Sequence, residues 1–346
     1  MELYTVMNPT VTRRRGTRLT RGAGLVIAAG VLACAALASL AIGARSIPPG
    51  DVVHALLHGG STPDDAIVRG LRVPRTLLGI AVGAALGVGG ALMQALTRNP
   101  LADPGLLGVN AGASTAVVVA LALGLAGAAS SVWFAFAGAA IASTAVYAIG
   151  SAGRGGATPV RLALAGVAIT AALTAIIYGV ALTDQRLLQR YDFWAVGSLS
   201  GRDRTQLEAV APFIALGIVL ALALARGLNA LALGDEAARA LGARVGRTRI
   251  GGAVAVTLLC GAATAAAGPM YFLGLTVPHA ARALCGPDQR WVLSYSALLG
   301  AALMLVADVI GRVLVRPGEL QAGVMMAVIG TPLFIALVRR KRIAAL

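Results

Sequence analysis

The chain has 346 residues, of which 58% are hydrophobic and 12% charged, and a mean hydropathy of +0.82. A soluble domain carries about twice that share of charge, which excludes one here. The net charge of +15 is almost wholly arginine, with Lys341 the only lysine. Aromatics make up 4%, and the arginines sit at the ends of apolar runs rather than in one patch. That pattern argues against nucleic acid as a partner and for anionic lipid headgroups.

In chain order, residues 1–22 form a basic tail, and 22–43 an apolar run long enough to stay in the membrane as a first span. Residues 44–72 are mixed and hold three prolines. Span two covers 73–96, with Gly79, Gly83 and Gly87 on one face, a spacing that allows close helix contact. A turn at 97–105 contains Asn99-Pro100 and Asp103-Pro104. Spans three, four and five follow at 106–126, 131–150 and 159–182. Residues 183–205 are polar with an aromatic patch, Tyr191, Phe193 and Trp194, which predicts a short helix lying at the interface.

Span six, 209–226, and span seven, starting at Ile250, flank the stretch 228–249. It is too polar to cross a bilayer and too orderly for a loose loop. Leu231, Leu233, Ala237, Ala240 and Leu241 can form one apolar face of short helices, with Asp235, Glu236 and Arg239 opposite. Glycines 234, 242 and 246 would turn or end them. A charged connector and a docking surface for a soluble partner both fit these residues. Gly268-Pro269 then breaks the pattern before span eight, 272–284. Such a break either lines a pathway or makes a tight turn. Spans nine and ten, 291–312 and 322–338, precede a basic tail at 339–346.

The expected fold is therefore all-α and polytopic, with about ten transmembrane helices forming one domain over 23–338. An even number of spans puts both termini on one side. That side, which includes 228–249, holds most of the arginines, so the positive-inside bias makes it cytoplasmic. The opposite surface still carries many arginines, which suggests an acidic partner there.

Several chemistries are absent from the sequence. Lys341 has no Gly-rich turn before it and no Ser or Thr after it, so the chain has no phosphate-binding loop of its own. Cys34, Cys260 and Cys285 lack metal-ligand spacing, and no other ligand type clusters near His54 and His58. Asp308 is the clearest ionisable group inside a span, with Arg312 four residues on as its natural partner.

The run from Gly83 through Gln94, Asn99-Pro-Leu-Ala-Asp-Pro-Gly105 and Gly108 to Ala113 resembles the permeases that import iron-siderophores, haem and vitamin B12. These are the FecCD-type members of the ten-helix class of ATP-binding-cassette importers. Further matches are Leu71-Arg-Val-Pro-Arg75, Phe193-Trp-Ala-Val-Gly197, Gly268-Pro-Met-Tyr-Phe272, Pro278-His-Ala-Ala-Arg282, Ala307-Asp-Val-Ile-Gly-Arg312 and Ile329-Gly-Thr-Pro-Leu-Phe334. Arg204, Gln289 and Gln321 depart from the family pattern.

The resemblance implies a permease subunit in a bacterial inner membrane. It would pair with a second permease, identical or paralogous, and work with two cytoplasmic ATPases and an extracytoplasmic solute-binding protein. The ATPases would use ATP, and this chain would bind no cofactor or metal. Arg72, Arg75 and Arg312 would receive acidic residues of the binding protein. Leu233, Gly234, Asp235, Glu236, Ala237, Ala238, Arg239, Leu241 and Gly242 match the Glu-Ala-Ala loop that meets the ATPases. Asn99, Leu101 and Thr158 match a cytoplasmic gate. A proton- or sodium-coupled secondary transporter is the alternative reading; it would need no ATPase.

Overall fold

The computed structural model describes residues 18–43, 45–59, 62–125, 130–152, 158–316 and 318–339. Most of both basic tails, and Arg154 between spans four and five, lie outside these residues. Fourteen α-helices account for nearly all of the described chain, with a π-helical turn and a 3₁₀ turn between them.

Seven helices among the described residues are long and apolar enough to cross a membrane. They are α1 (Arg18–Ala41), α4 (Val73–Thr97, continuous with what precedes it), α6 (Ser130–Ser151), α7 (Pro159–Ala181), α9 (Arg204–Leu231), α11 (Val245–Ala267) and α13 (Gln289–Leu314). The remaining three expected spans are shorter: α5 (Val109–Ala122), α12 (Leu273–Cys285) and α14 (Ala322–Arg339). With 14 and 13 residues, α5 and α12 reach about 20 Å, less than the roughly 30 Å of a hydrocarbon core. Irregular backbone leads into both of them. It is tolerated because it is enclosed by protein: Ala102, Pro104, Leu107, Gly268, Pro269 and Met270 are all buried.

The mixed segment 44–72 folds as α2 (Pro49–Leu57) and α3 (Pro63–Ala66), and the π-helical turn Ile67–Arg72 runs straight into α4. Thr62 caps α3 with a complete capping box: its hydroxyl accepts from the Asp65 amide while Asp65 reaches back to the Thr62 amide. The short helix predicted within 183–205 is α8 (Gln185–Ala195), begun by the Asp184 carboxylate accepting from the Arg186 amide at 2.8 Å. The polar stretch between spans six and seven shrinks, because α9 extends to Leu231 and α11 starts at Val245. One six-residue helix, α10 (Asp235–Ala240), is left between them.

The core is a seam between α4 and α13. Small residues let the two backbones meet. A Cβ on Gly83 would lie 2.5 Å from the Gly300 carbonyl oxygen, and one on Gly87 would overlap that of Ser296. Further along the same helix, Gly90 meets the backbone of Gly274 in α12. In a bilayer, where lipid is as apolar as leucine, such close approach is a main source of helix association. Just beyond, the buried Gln94 donates to the carbonyls of Gly274 and Leu275, both at 3.3 Å, and accepts from Arg282. Gly83→Val is expected to cost about 1–3 kcal/mol through overpacking, whereas Gly30→Ala, at an open position on α1, should cost nothing. Thermal unfolding of the two variants in detergent checks the difference.

Candidate functional site

Two regions carry the residues marked by the sequence, one at each end of the bundle. The first is built around the end of α1. Its last carbonyls have no helical partner, and arginines supply the donors. Arg72 donates to the carbonyls of Leu40 (2.6 Å), Ala41 (2.8 Å) and Arg45. Arg312 donates to those of Ser39 (2.8 Å) and Ile42 (3.4 Å), and Arg316 to that of Gly43 (2.8 Å). The same device recurs on α2, where Arg69 donates to Ala55 and Leu56 at 2.6 and 3.0 Å. Cationic groups also suit the negative end of a helix dipole.

Asp308 is the anion of this cluster. It is fully buried and accepts from Arg312, one turn along α13, and from Arg75 of α4, whose Nη2 lies 2.7 Å from Oδ1. Arg75 also reaches Glu319 at 2.8 Å. The Ser39 hydroxyl bonds both Arg312 (2.9 Å) and Thr76 (2.8 Å). The i,i+4 pair was legible in the sequence; the bridge to Arg75 was not.

The three arginines expected to dock a partner thus share one cluster, but Arg72 and Arg312 are turned inward, 6% and 2% exposed. Their donors are already bonded to carbonyls, to Ser39 and to Asp308. Arg75 stands nearest the surface, with 13% of its side chain exposed. Much of the arginine surplus on this surface therefore holds helix ends.

The second region surrounds α10. The sequence places Leu231, Leu233, Ala237, Ala240 and Leu241 together on one apolar face. In the structure Leu231 and Ala238 point inward, while Leu233, Glu236, Ala237, Arg239, Ala240, Leu241 and Gly242 are exposed, Leu233 and Leu241 by 64% and 68%. A six-residue helix has room for one inward anchor, and Ala238 takes it. Gly242 ends the turn at φ +80° with open space around it, a backbone conformation that favours glycine.

Asp235 fastens this knob to its neighbours. It pairs with Arg249 of α11 at 2.9 Å and approaches Arg98, at the end of α4, at 3.6 Å. Asn229 of α9 accepts from the Gln289 amide and donates to Asp288, both at 2.8 Å, tying the base of the knob to α13. These ties join residues distant in sequence, and no motif signalled them.

The residues read as a gate lie at two helix boundaries. Asn99 directly follows Arg98, and its side chain accepts from the Leu101 amide at 2.9 Å; Leu101 is half exposed. Thr158 caps α7 by accepting from the Arg161 amide at 3.4 Å.

A bundle of hydrophobic helices, with short interrupted ones inside and an exposed apolar knob at one end, defines a multi-pass membrane permease. Comparison with known proteins narrows the class. Residues 31–340 match the FecCD transport family, and the chain belongs to it. It is an ATP-binding-cassette transporter permease, the ATPase lying in partner subunits. It is 49% identical to the ferric enterobactin transport system permease protein FepD of Escherichia coli (strain K12) over 326 residues, 94% of this chain and 96% of that one. It is 42% identical to the Fe(3+)-citrate import system permease protein YfmD of Bacillus subtilis (strain 168), covering 88% and 90%. A solved inward-facing structure described as a metal-chelate type ABC transporter shares the fold with a TM-score of 0.79 at 24% identity, covering 92% of this chain and 99% of that one.

Removing the shared anion should expose how the α1 cluster is held. Asp308→Asn leaves two guanidinium groups without their common carboxylate and is expected to cost roughly 3–5 kcal/mol, as other broken buried pairs do. Glu319→Gln, at a partly exposed site, should cost less than about 1 kcal/mol. Unfolding temperatures of the two purified proteins measure the contrast.

Proposed function

We propose that this permease imports an iron-siderophore, with haem or cobalamin as the wider cargo class, across a bacterial inner membrane. It forms the pathway as a dimer with an identical or paralogous permease, with both termini in the cytoplasm. Two cytoplasmic ATPases supply the energy, and an extracytoplasmic solute-binding protein delivers the cargo. Support for the cargo comes from what the relatives' names say they carry, ferric enterobactin and Fe(3+)-citrate.

The observation that carries the mechanism is the knob. Large apolar side chains exposed beside small residues on a surface segment mark a protein contact. Leu233, Gly234, Asp235, Glu236, Ala237, Ala238, Arg239, Leu241 and Gly242 are proposed to meet the ATPase. Asp235 would pass that movement to Arg98 and so to Asn99 and Leu101, which with Thr158 would form the gate. Small polar and apolar groups close a constriction without holding cargo. On the opposite face, the cluster of Arg72, Arg75 and Arg312 is proposed to dock the binding protein. Arg75 would meet its carboxylates, and Arg72 and Arg312 would keep that face in shape.

Reconstitution in proteoliposomes with the partner ATPase and binding protein tests the reading. Uptake should require ATP and persist with an uncoupler; uptake driven by a proton or sodium gradient without ATP would overturn it. Gly242→Trp should insert normally yet lose nearly all transport-coupled ATP hydrolysis, measured as phosphate release stimulated by the loaded binding protein. Full stimulation in that variant would make the knob a connector.

A further inference from the structure

Glu319 stands in the wall between two cavities. Gly43, Arg45, Leu71, Arg75 and Glu319 line the first, of about 230 Å³. Ser198, Ser200, Gln321 and again Glu319 line the second, of about 190 Å³. The Glu319 carboxylate meets Arg75, on the side of the first cavity, at 2.8 Å.

The guanidinium of Arg75 is used on two sides. Nε and Nη2 both donate to Asp308, at 3.1 and 2.7 Å, a fork-to-carboxylate pairing that fixes the plane of the group. Nη1 is left to face outward, and it donates to Glu319. Asp308 is sealed in the interior, with 1% of its side chain exposed, whereas the Glu319 side chain is 29% exposed. An ion pair that water reaches is weak, so the outer bond of Arg75 is the exchangeable one. The main chain beside Glu319 is held, because the Leu320 amide donates to the Gly311 carbonyl at 3.0 Å. Exchange asks for a turn of the Glu319 side chain, and the second cavity gives it room beside the Ser200 hydroxyl and the Gln321 amide.

From this geometry we infer that Glu319 occupies the seat of a partner's carboxylate, so that docking of the solute-binding protein swaps one carboxylate for another on Nη1 of Arg75. This inference rests on the docking role proposed for Arg75. The incoming Asp or Glu side chain enters the first cavity; a cavity of about 150 Å³ already takes a benzene ring. The internal carboxylate lowers affinity, since Arg75 receives a partner only for the fraction of time that it is released. It adds selectivity in return. An acid that is merely nearby, such as a phospholipid headgroup, has to displace a fitted carboxylate, whereas a partner with further contacts around its own carboxylate succeeds.

The test measures binding of the importer's own solute-binding protein to the full permease–ATPase complex in phosphatidylcholine nanodiscs, by surface plasmon resonance at fixed ionic strength. Glu319→Gln should tighten binding about threefold to fivefold, the worth of one partly exposed pair. Glu319→Asp, which reaches Arg75 less well, should tighten it by less. Glu208→Gln removes the same charge from an exposed pair with Arg204 at the start of α9, on the same end of the bundle, and should change binding less than about twofold. With Arg75→Gln, which itself binds weakly, adding Glu319→Gln should bring no gain. If Arg75→Gln does not assemble, Arg75→Lys, which keeps the charge and loses the fork, takes its place, and the gain should again be lost. Weaker binding by Glu319→Gln would show that Glu319 positions Arg75 for the partner and overturn the seat. Unchanged binding would overturn it, as would an equal gain from Glu208→Gln, which would reduce the effect to the general field. Weak binding by Arg75→Gln without a gain in Glu319→Gln overturns the seat alone; full binding by Arg75→Gln removes the docking role, and the seat with it.

Discussion

The rest of the architecture depends on the backbone contact between α4 and α13. Within a bilayer, hydrophobicity cannot press helices together, so shape has to. Gly83 and Gly87, with no side chains to hold the helices apart, lie against the backbone of Ser296, Gly300 and Ala301. The same helix α4 continues that contact to α12 through Gly90 and Gly274. It begins beside the arginine cluster and ends beside the knob, so one closely packed rod joins the two regions proposed to meet partners.

The two ends use charge differently. At the α1 end, guanidinium groups are buried and bonded to helix carbonyls and one carboxylate, Asp308. Such a cluster is expensive to assemble, and breaking it strands charge in the interior. That gives a fixed platform. At the α10 end, Asp235 is partly exposed and shared between Arg249 and Arg98, at the unequal distances of 2.9 and 3.6 Å. Partly exposed pairs are weak and exchangeable, which suits the coupling role proposed for this element.

Much of this organisation was legible in the sequence. Long apolar runs located the seven long helices because burial in lipid leaves no other composition. The glycine spacing pointed to a close contact on α4, and polar residues with three glycines marked the knob. The short helices were not legible as short. Hydropathy reads 106–126 as one span, and it has no term for backbone that turns inside a protein-lined interior. The partnership of Arg75 with Asp308 spans 233 positions, beyond any periodic signal. The inward turn of Arg72 and Arg312 was hidden for the same reason: an arginine near a helix end reads alike whether it faces water, lipid or a carbonyl. The orientation of α10 escaped because six residues are too few for periodicity to choose a face.

The irregular stretch after α11 has a mechanical meaning. The Ser198 amide donates to the Ala267 carbonyl at 2.7 Å, and the Gly323 amide to that of Gly197 at 3.0 Å. Main chain from the end of α8, the end of α11 and the start of α14 is thus stitched together without side chains in between. Side-chain contacts can slide through a series of rotamers, but main-chain bonds in a dry interior are either made or lost. Moving any of these three helix ends past the others therefore has to break a main-chain hydrogen bond, not merely turn a side chain.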